Sequence, residues 1–119
     1  MPRQVINHPA IPPAIGAYSQ MVRAGNLIFI SGQISDQPGE AGMREVLTKL
    51  NTLCQAAGYS LDNLVKLTVY LLDLEQFPLL NQLFEEFFTK PYPARAAIEV
   101  QRLPKNAQIE IEAILSLHD

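Results

Sequence analysis

The chain has no tryptophan, one cysteine and only two histidines in 119 residues. His8 lies near one end and His118 is the second-last residue. Zinc-type metal sites are built from clustered histidine and cysteine, and no such cluster exists here. A nucleophile–histidine–carboxylate relay lacks its central histidine for the same reason. Cys54 is alone, which excludes an internal disulfide and suits a reducing cytoplasm. No apolar run exceeds four residues, far too few to span a bilayer. Met1-Pro2-Arg3-Gln4 leads into a proline-rich stretch and not into the apolar core of a secretory signal. Nine basic residues stand against twelve acidic ones, for a net charge of −3, and the basic ones are scattered. That argues against a nucleic-acid surface and against polybasic adhesion to a membrane. Chemistry is left to Arg, Glu, Asp, Tyr, Ser and backbone groups.

What is present reads as one globular domain over residues 1–119. Apolar residues make up 48% and charged residues 18%, enough to build one core. All six glycines lie at or before Gly58, so the second half is expected to be regular structure with proline-set turns. Four prolines within residues 1–16 predict an extended, irregular start. Tyr18 to Arg23 and Leu27 to Gln33 read as two strands joined at Ala24-Gly25-Asn26, where glycine supplies the positive φ of a tight turn. Asp36 to Gly42 reads as a polar loop. Met43, Val46, Leu47, Leu50, Leu53, Cys54 and Ala57 recur at helical spacing, predicting a helix over 43–57 capped by Gly58. Leu64 to Leu72 reads as a strand buried on both faces. Asp73 and Gln76 are candidate caps for a helix whose apolar face holds Phe77, Leu80, Leu83, Phe84, Phe87 and Phe88. Ala94 to Gln101 and Gln108 to Leu117 read as a closing hairpin. The order is ββ-α-β-α-ββ, an α+β fold with a mixed sheet and two helices on one face.

The alternation of that hairpin places Arg95, Glu99, Glu110 and Glu112 on one face. If the turn centres between Leu103 and Pro104, Arg95 lies opposite Glu112, and a slip of two residues pairs it with Glu110. A cross-strand salt bridge is the plain reading. An anion site is the sharper one, with Arg95 binding a carboxylate and a glutamate ordering or deprotonating water. Tyr18 reads plainly as a strand tyrosine, Ser31-Gly32 as a bulge, and Phe87-Phe88 and Cys54 as core. Asn81 is polar beside an apolar helix stripe, which suggests that it holds a loop or a neighbouring chain.

Ile15-Gly16-Ala17-Tyr18-Ser19-Gln20, Ile30-Ser31-Gly32-Gln33-Ile34, Pro93-Ala94-Arg95 with Glu99-Val100, and Arg102-Leu103-Pro104-Lys105 running to Ile109-Glu110-Ile111-Glu112-Ala113 together resemble the RidA/YjgF family. The likeness runs along essentially the whole chain. It implies a chorismate-mutase-like fold and a homotrimer with ligand sites between subunits. It also implies hydrolysis of reactive 2-enamine and 2-imine acids, of the 2-aminoacrylate and 2-iminobutanoate type, to 2-keto acids and ammonia without a cofactor. By the same resemblance Arg95 clamps the substrate carboxylate and Glu112 positions the attacking water. Tyr18, Ser31 and Gly32 line the site, and Asn81 and Phe84 lie near the cleft. Ala97 stands where many members have cysteine, so only its backbone N–H is left for a ligand. The Gln33 to Gly42 connection is shorter than in the family, which bears on substrate size, and Ala17 replaces a common proline.

Two other functions fit the same residues. One is a non-catalytic regulatory trimer that binds small carboxylates, which needs Arg95 but not Glu112. The other is an endoribonuclease, disfavoured by the absence of a basic groove and of a central histidine pair.

Overall fold

A computed structural model of the chain describes residues 3–11, 13–14 and 16–117. Pro2, Pro12, Ile15 and His118, which entered the sequence reading, lie outside them. The elements are β1 (Gln4–Ile6), β2 (Met21–Ala24), β3 (Leu27–Ser35), α1 (Gly39–Ala56), β4 (Leu64–Leu71), α2 (Phe77–Phe87), β5 (Ala94–Glu99) and β6 (Ile109–Ser116). The strands form one mixed sheet in the order β1-β2-β3-β6-β4-β5, so the α+β architecture stands. Gly25, with φ +63°, opens the two-residue turn between β2 and β3, where Ala24 pairs Leu27.

α1 lays Met43, Val46, Leu47, Leu50, Leu53 and Cys54 on the sheet, all of them buried. It begins at Gly39, four residues before the apolar stripe does. Periodicity does not report that first turn, because its side chains are mostly solvated. Within it Gly42 is buried against the Gln37 carbonyl, where a Cβ has no room. The C-terminus closes as expected. Gly58 (φ +92°) donates to the Gln55 carbonyl and Tyr59 N–H to the Cys54 carbonyl. Burial pushes the Cys54 thiol up to about 12, so it behaves as a small apolar side chain. α2 buries Leu80, Leu83 and Phe84. Asp73 caps the short 3₁₀ turn before it, accepting from Glu75 N–H, while the Gln76 side chain makes no cap hydrogen bond.

The polar loop expected over Asp36 to Gly42 stops at Pro38, since α1 starts at Gly39, and four further expectations need correction. A short strand, β1, pairs with β2 inside the stretch read as irregular. Tyr18 is not on a strand, since β2 starts at Met21. β4 is buried on one face only. Leu64, Leu67, Val69 and Leu71 point into the core, while Val65 is exposed and Lys66, Thr68 and Tyr70 are half-buried. A register shift between Leu64 and Lys66 breaks the alternation there, and Val65 and Tyr70, apolar but not buried, fill the run with apolar residues. The last correction matters most. β5 and β6 are not a hairpin: β4 lies between them, parallel to β5 and antiparallel to β6. Strand–helix–strand connection of β4 to β5 through α2 sets them parallel and adjacent. The segment before β6 then carries the chain past β4, through a 3₁₀ turn (Pro104–Asn106) with positive φ at Lys105 and Asn106. Strands β5 and β6 are consecutive in the chain but not neighbours in the sheet.

Candidate active site

Intercalating β4 separates the two charges that sequence reading had put on one face. Arg95 pairs with Leu67, whose side chain is in the core under the helices, whereas Glu112 pairs with Thr68 on the open face. Arg95 and Glu112 therefore lie two strands apart, on opposite faces of the sheet. Two sites result, each holding half of the expected constellation.

The first is a groove of about 760 Å³ beside the part of β3 that outruns β2. Tyr18, Ser31, Gly32, Glu110 and Glu112 line it, with Lys49 and Lys105 farther round its wall. The expected bulge at Ser31-Gly32 is present as a register shift between Ile30 and Gln33. The Ser31 hydroxyl donates to the Ser19 carbonyl (2.6 Å) and its N–H to the Gln20 carbonyl (2.9 Å), tying the 17–20 loop to the bulge. Tyr18 stands on the lip of the groove, 53% exposed. Glu112 is exposed and its carboxylate accepts from the Tyr70 hydroxyl (3.2 Å).

Glu110, which the sequence offered only as a register alternative, is the more buried carboxylate of the two. Burial raises its pKa above the usual glutamate value, and neighbouring Glu112 raises it further. Its carboxyl lies over Gly32, where a Cβ would collide with it. Knowledge of the strand register was the missing signal, because Glu110 and Glu112 alternate identically. A direct consequence is that Gly32→Ala should leave the melting temperature near wild type, since the colliding atoms end a flexible side chain. It should displace the Glu110 carboxyl and cost about a hundredfold in any activity that depends on it. Circular dichroism together with turnover checks this.

The second site is a depression of about 360 Å³ lined by Asn81, Phe84, Glu85, Tyr92, Pro93 and Arg95. Arg95 Nη2 donates to Asn81 Oδ1 (2.6 Å). The guanidinium carbon lies 5.0 Å from the Phe77 ring centroid and 4.8 Å from that of Phe84. Among the described residues no carboxylate forms an ion pair with Arg95. Partial burial lowers its pKa, but an arginine retains its charge at any physiological pH. It is thus a cation with a neutral partner, suited to a bidentate anion. Ala97, two residues along β5, is half-buried and packs against the core. Among the described residues, no three His, Cys, Asp or Glu side chains are grouped to hold a metal ion. None of their helices is long and apolar enough to cross a membrane.

A profile of the endoribonuclease L-PSP family matches residues 9–116. A RutC family protein of Pyrococcus horikoshii is 43% identical over 121 aligned positions, covering 94% of this chain and 96% of that one. The human 2-iminobutanoate/2-iminopropanoate deaminase is 38% identical, covering 94% and 88%. The crystal structure of RidA from an Antarctic Psychrobacter superposes with a TM-score of 0.90 at 40% identity, covering 95% and 98%.

Proposed function

As the chain belongs to the endoribonuclease L-PSP family, which includes the RidA/YjgF proteins, we propose that it hydrolyses small 2-imino acids to 2-keto acids and ammonia, in sites shared between subunits of a homotrimer. The observation that carries this reading is the division of the charged groups. An arginine free to bind a carboxylate lies on one face of the sheet, and a carboxylate with a raised pKa lies on the other. One chain cannot apply both to one small molecule, but head-to-tail packing of copies can. The open face also carries Leu27, Phe29 and Ile98, all substantially exposed, an apolar surface suited to a second copy of the chain.

In this mechanism Arg95 of one subunit binds the substrate carboxylate. The protonated imine then lies in the neighbouring subunit's groove, near Glu110 and Glu112, whose charges favour a cation. Glu110 takes a proton from water as its oxygen attacks the imine carbon. Glu110 returns that proton to the nitrogen of the tetrahedral adduct, the C–N bond breaks to release ammonia, and Glu110 takes the adduct's hydroxyl proton as the keto group forms. The imine is already electrophilic, so positioning and proton transfer suffice without a cofactor. Tyr18, Ser31 and Gly32 shape the wall beside the attacked carbon, and Asn81 and Phe84 act through Arg95. Glu112, expected from the resemblance to position the water, takes the lesser part of keeping Glu110 basic. The groove's acidic residues, Asp36, Glu45, Glu110 and Glu112, outnumber Lys49 and Lys105, which disfavours the polyanionic substrate of an endoribonuclease.

The test is to generate 2-aminocrotonate in situ with a threonine dehydratase and to follow 2-oxobutanoate release with and without the protein. Semicarbazide trapping of the imine supplies an independent count. Accelerated release with less trapped imine is expected. No acceleration overturns the deaminase reading in favour of a binding protein.

A further inference from the structure

Phe77 is the first residue of α2 and is 38% exposed. Its neighbours on the same helical stripe are Asn81 and Phe84, at i+4 and i+7. Packing explains Phe84, which is buried among core side chains. Packing does not explain Phe77 in the same way, since over a third of its surface stays in water. What its ring does meet is the Arg95 guanidinium, at 5.0 Å.

The three residues divide the guanidinium between them. Asn81 accepts one N–H, leaving four of the five donors. The two rings offer π faces to the cation, a contact that uses no N–H donor. A long arginine side chain on an edge strand otherwise samples many rotamers, and ordering it on ligand binding costs affinity. We propose that Phe77 is a positioning residue for ligand binding: its ring holds the Arg95 guanidinium against α2, with the donors not taken by Asn81 turned outward for a carboxylate. This rests on the assignment of Arg95 as the carboxylate anchor, and it adds that the anchor is set in place before the ligand arrives. A 2-keto or 2-imino acid then meets an ordered fork, and the contribution of Phe77 appears as affinity.

The test compares Phe77→Leu, which keeps an apolar side chain without a π face, with Phe77→Tyr, which restores the ring. Binding of 2-oxobutanoate is measured by calorimetry on the intact oligomer, alongside thermal melting. Phe77→Leu is expected to raise the Kd roughly fivefold, the scale of one partly exposed cation–π contact. Its melting temperature should stay near wild type, and Phe77→Tyr should return the Kd to near the wild-type value. An unchanged Kd in Phe77→Leu overturns the proposal. So does equal weakening in both variants, which would make the effect one of shape. The binding measurement needs no turnover, so it separates the two ideas. Wild-type protein that binds 2-oxobutanoate without hydrolysing imines overturns the deaminase reading while the Phe77 comparison still decides this one. Wild-type protein that binds no keto acid overturns this proposal, while the imine assay still decides the deaminase reading.

Discussion

Replacing Glu110 by glutamine should lower imine turnover by about 10²–10⁴-fold, the usual contribution of a positioned general base. Binding of 2-oxobutanoate should survive, because Arg95 is untouched and lies on the other face of the sheet. The same change should raise the melting temperature at neutral pH. Glu110 has a folded-state pKa raised by burial and by Glu112. Its contribution to stability is therefore full below the unfolded carboxyl pKa and lost as pH rises through the higher folded value. Glutamine never ionises and escapes that loss. A variant that is more stable yet inactive distinguishes a lost base from a damaged fold, and full activity in Glu110→Gln would remove Glu110 from the mechanism. The pH profile follows from the same shift. Turnover should fall on acidification, with a midpoint above that of an ordinary glutamate. Glu112→Gln should move the midpoint to lower pH, since it removes the neighbouring negative charge.

Arg95→Ala alone should abolish measurable keto-acid binding, and with it turnover. A mixture tests the division of labour between subunits. Arg95→Ala chains retain a complete groove, and Glu110→Gln chains retain a complete arginine site. Neither variant has an intact shared site as a homo-oligomer. Under the proposed sharing, each site in oligomers assembled from equal amounts of both takes its arginine from one chain and its glutamate from the next. About a quarter of such sites combine two intact halves, so about a quarter of wild-type activity should return. Co-expression with two affinity tags, followed by the imine assay, measures this. Mixed oligomers with no recovered activity would place both groups in one subunit's site, against the geometry of β4 and β5.

Much of the molecule was legible without coordinates, for identifiable reasons. Helical spacing of apolar residues from Met43 to Cys54 and from Leu80 to Phe84 marks faces that must be buried, whatever they pack on. Gly25 and Gly58 mark backbone positions with positive φ. The lack of central histidine confined any chemistry to arginine, glutamate and hydroxyl groups. These are local properties, decided by side-chain period, backbone sterics and inventory.

Two things were not local. Strand order depends on which neighbour offers each edge its hydrogen bonds, and nothing in residues 94–117 announces that β4 lies between β5 and β6. Facing follows from order. The alternation in Arg95, Ala97 and Glu99 and in Glu110 and Glu112 was correctly read within each strand, but only the register with β4 shows that the two sets point to opposite sides. Likewise Glu110 and Glu112 are equivalent by period, and only the tertiary surroundings bury Glu110 more deeply, with its carboxyl over Gly32, and raise its pKa. Composition and local period dictate which groups are available and which elements carry them. The tertiary structure alone decided that arginine and glutamate are presented on separate surfaces, because pairing across a sheet is a long-range choice that local periodicity does not encode.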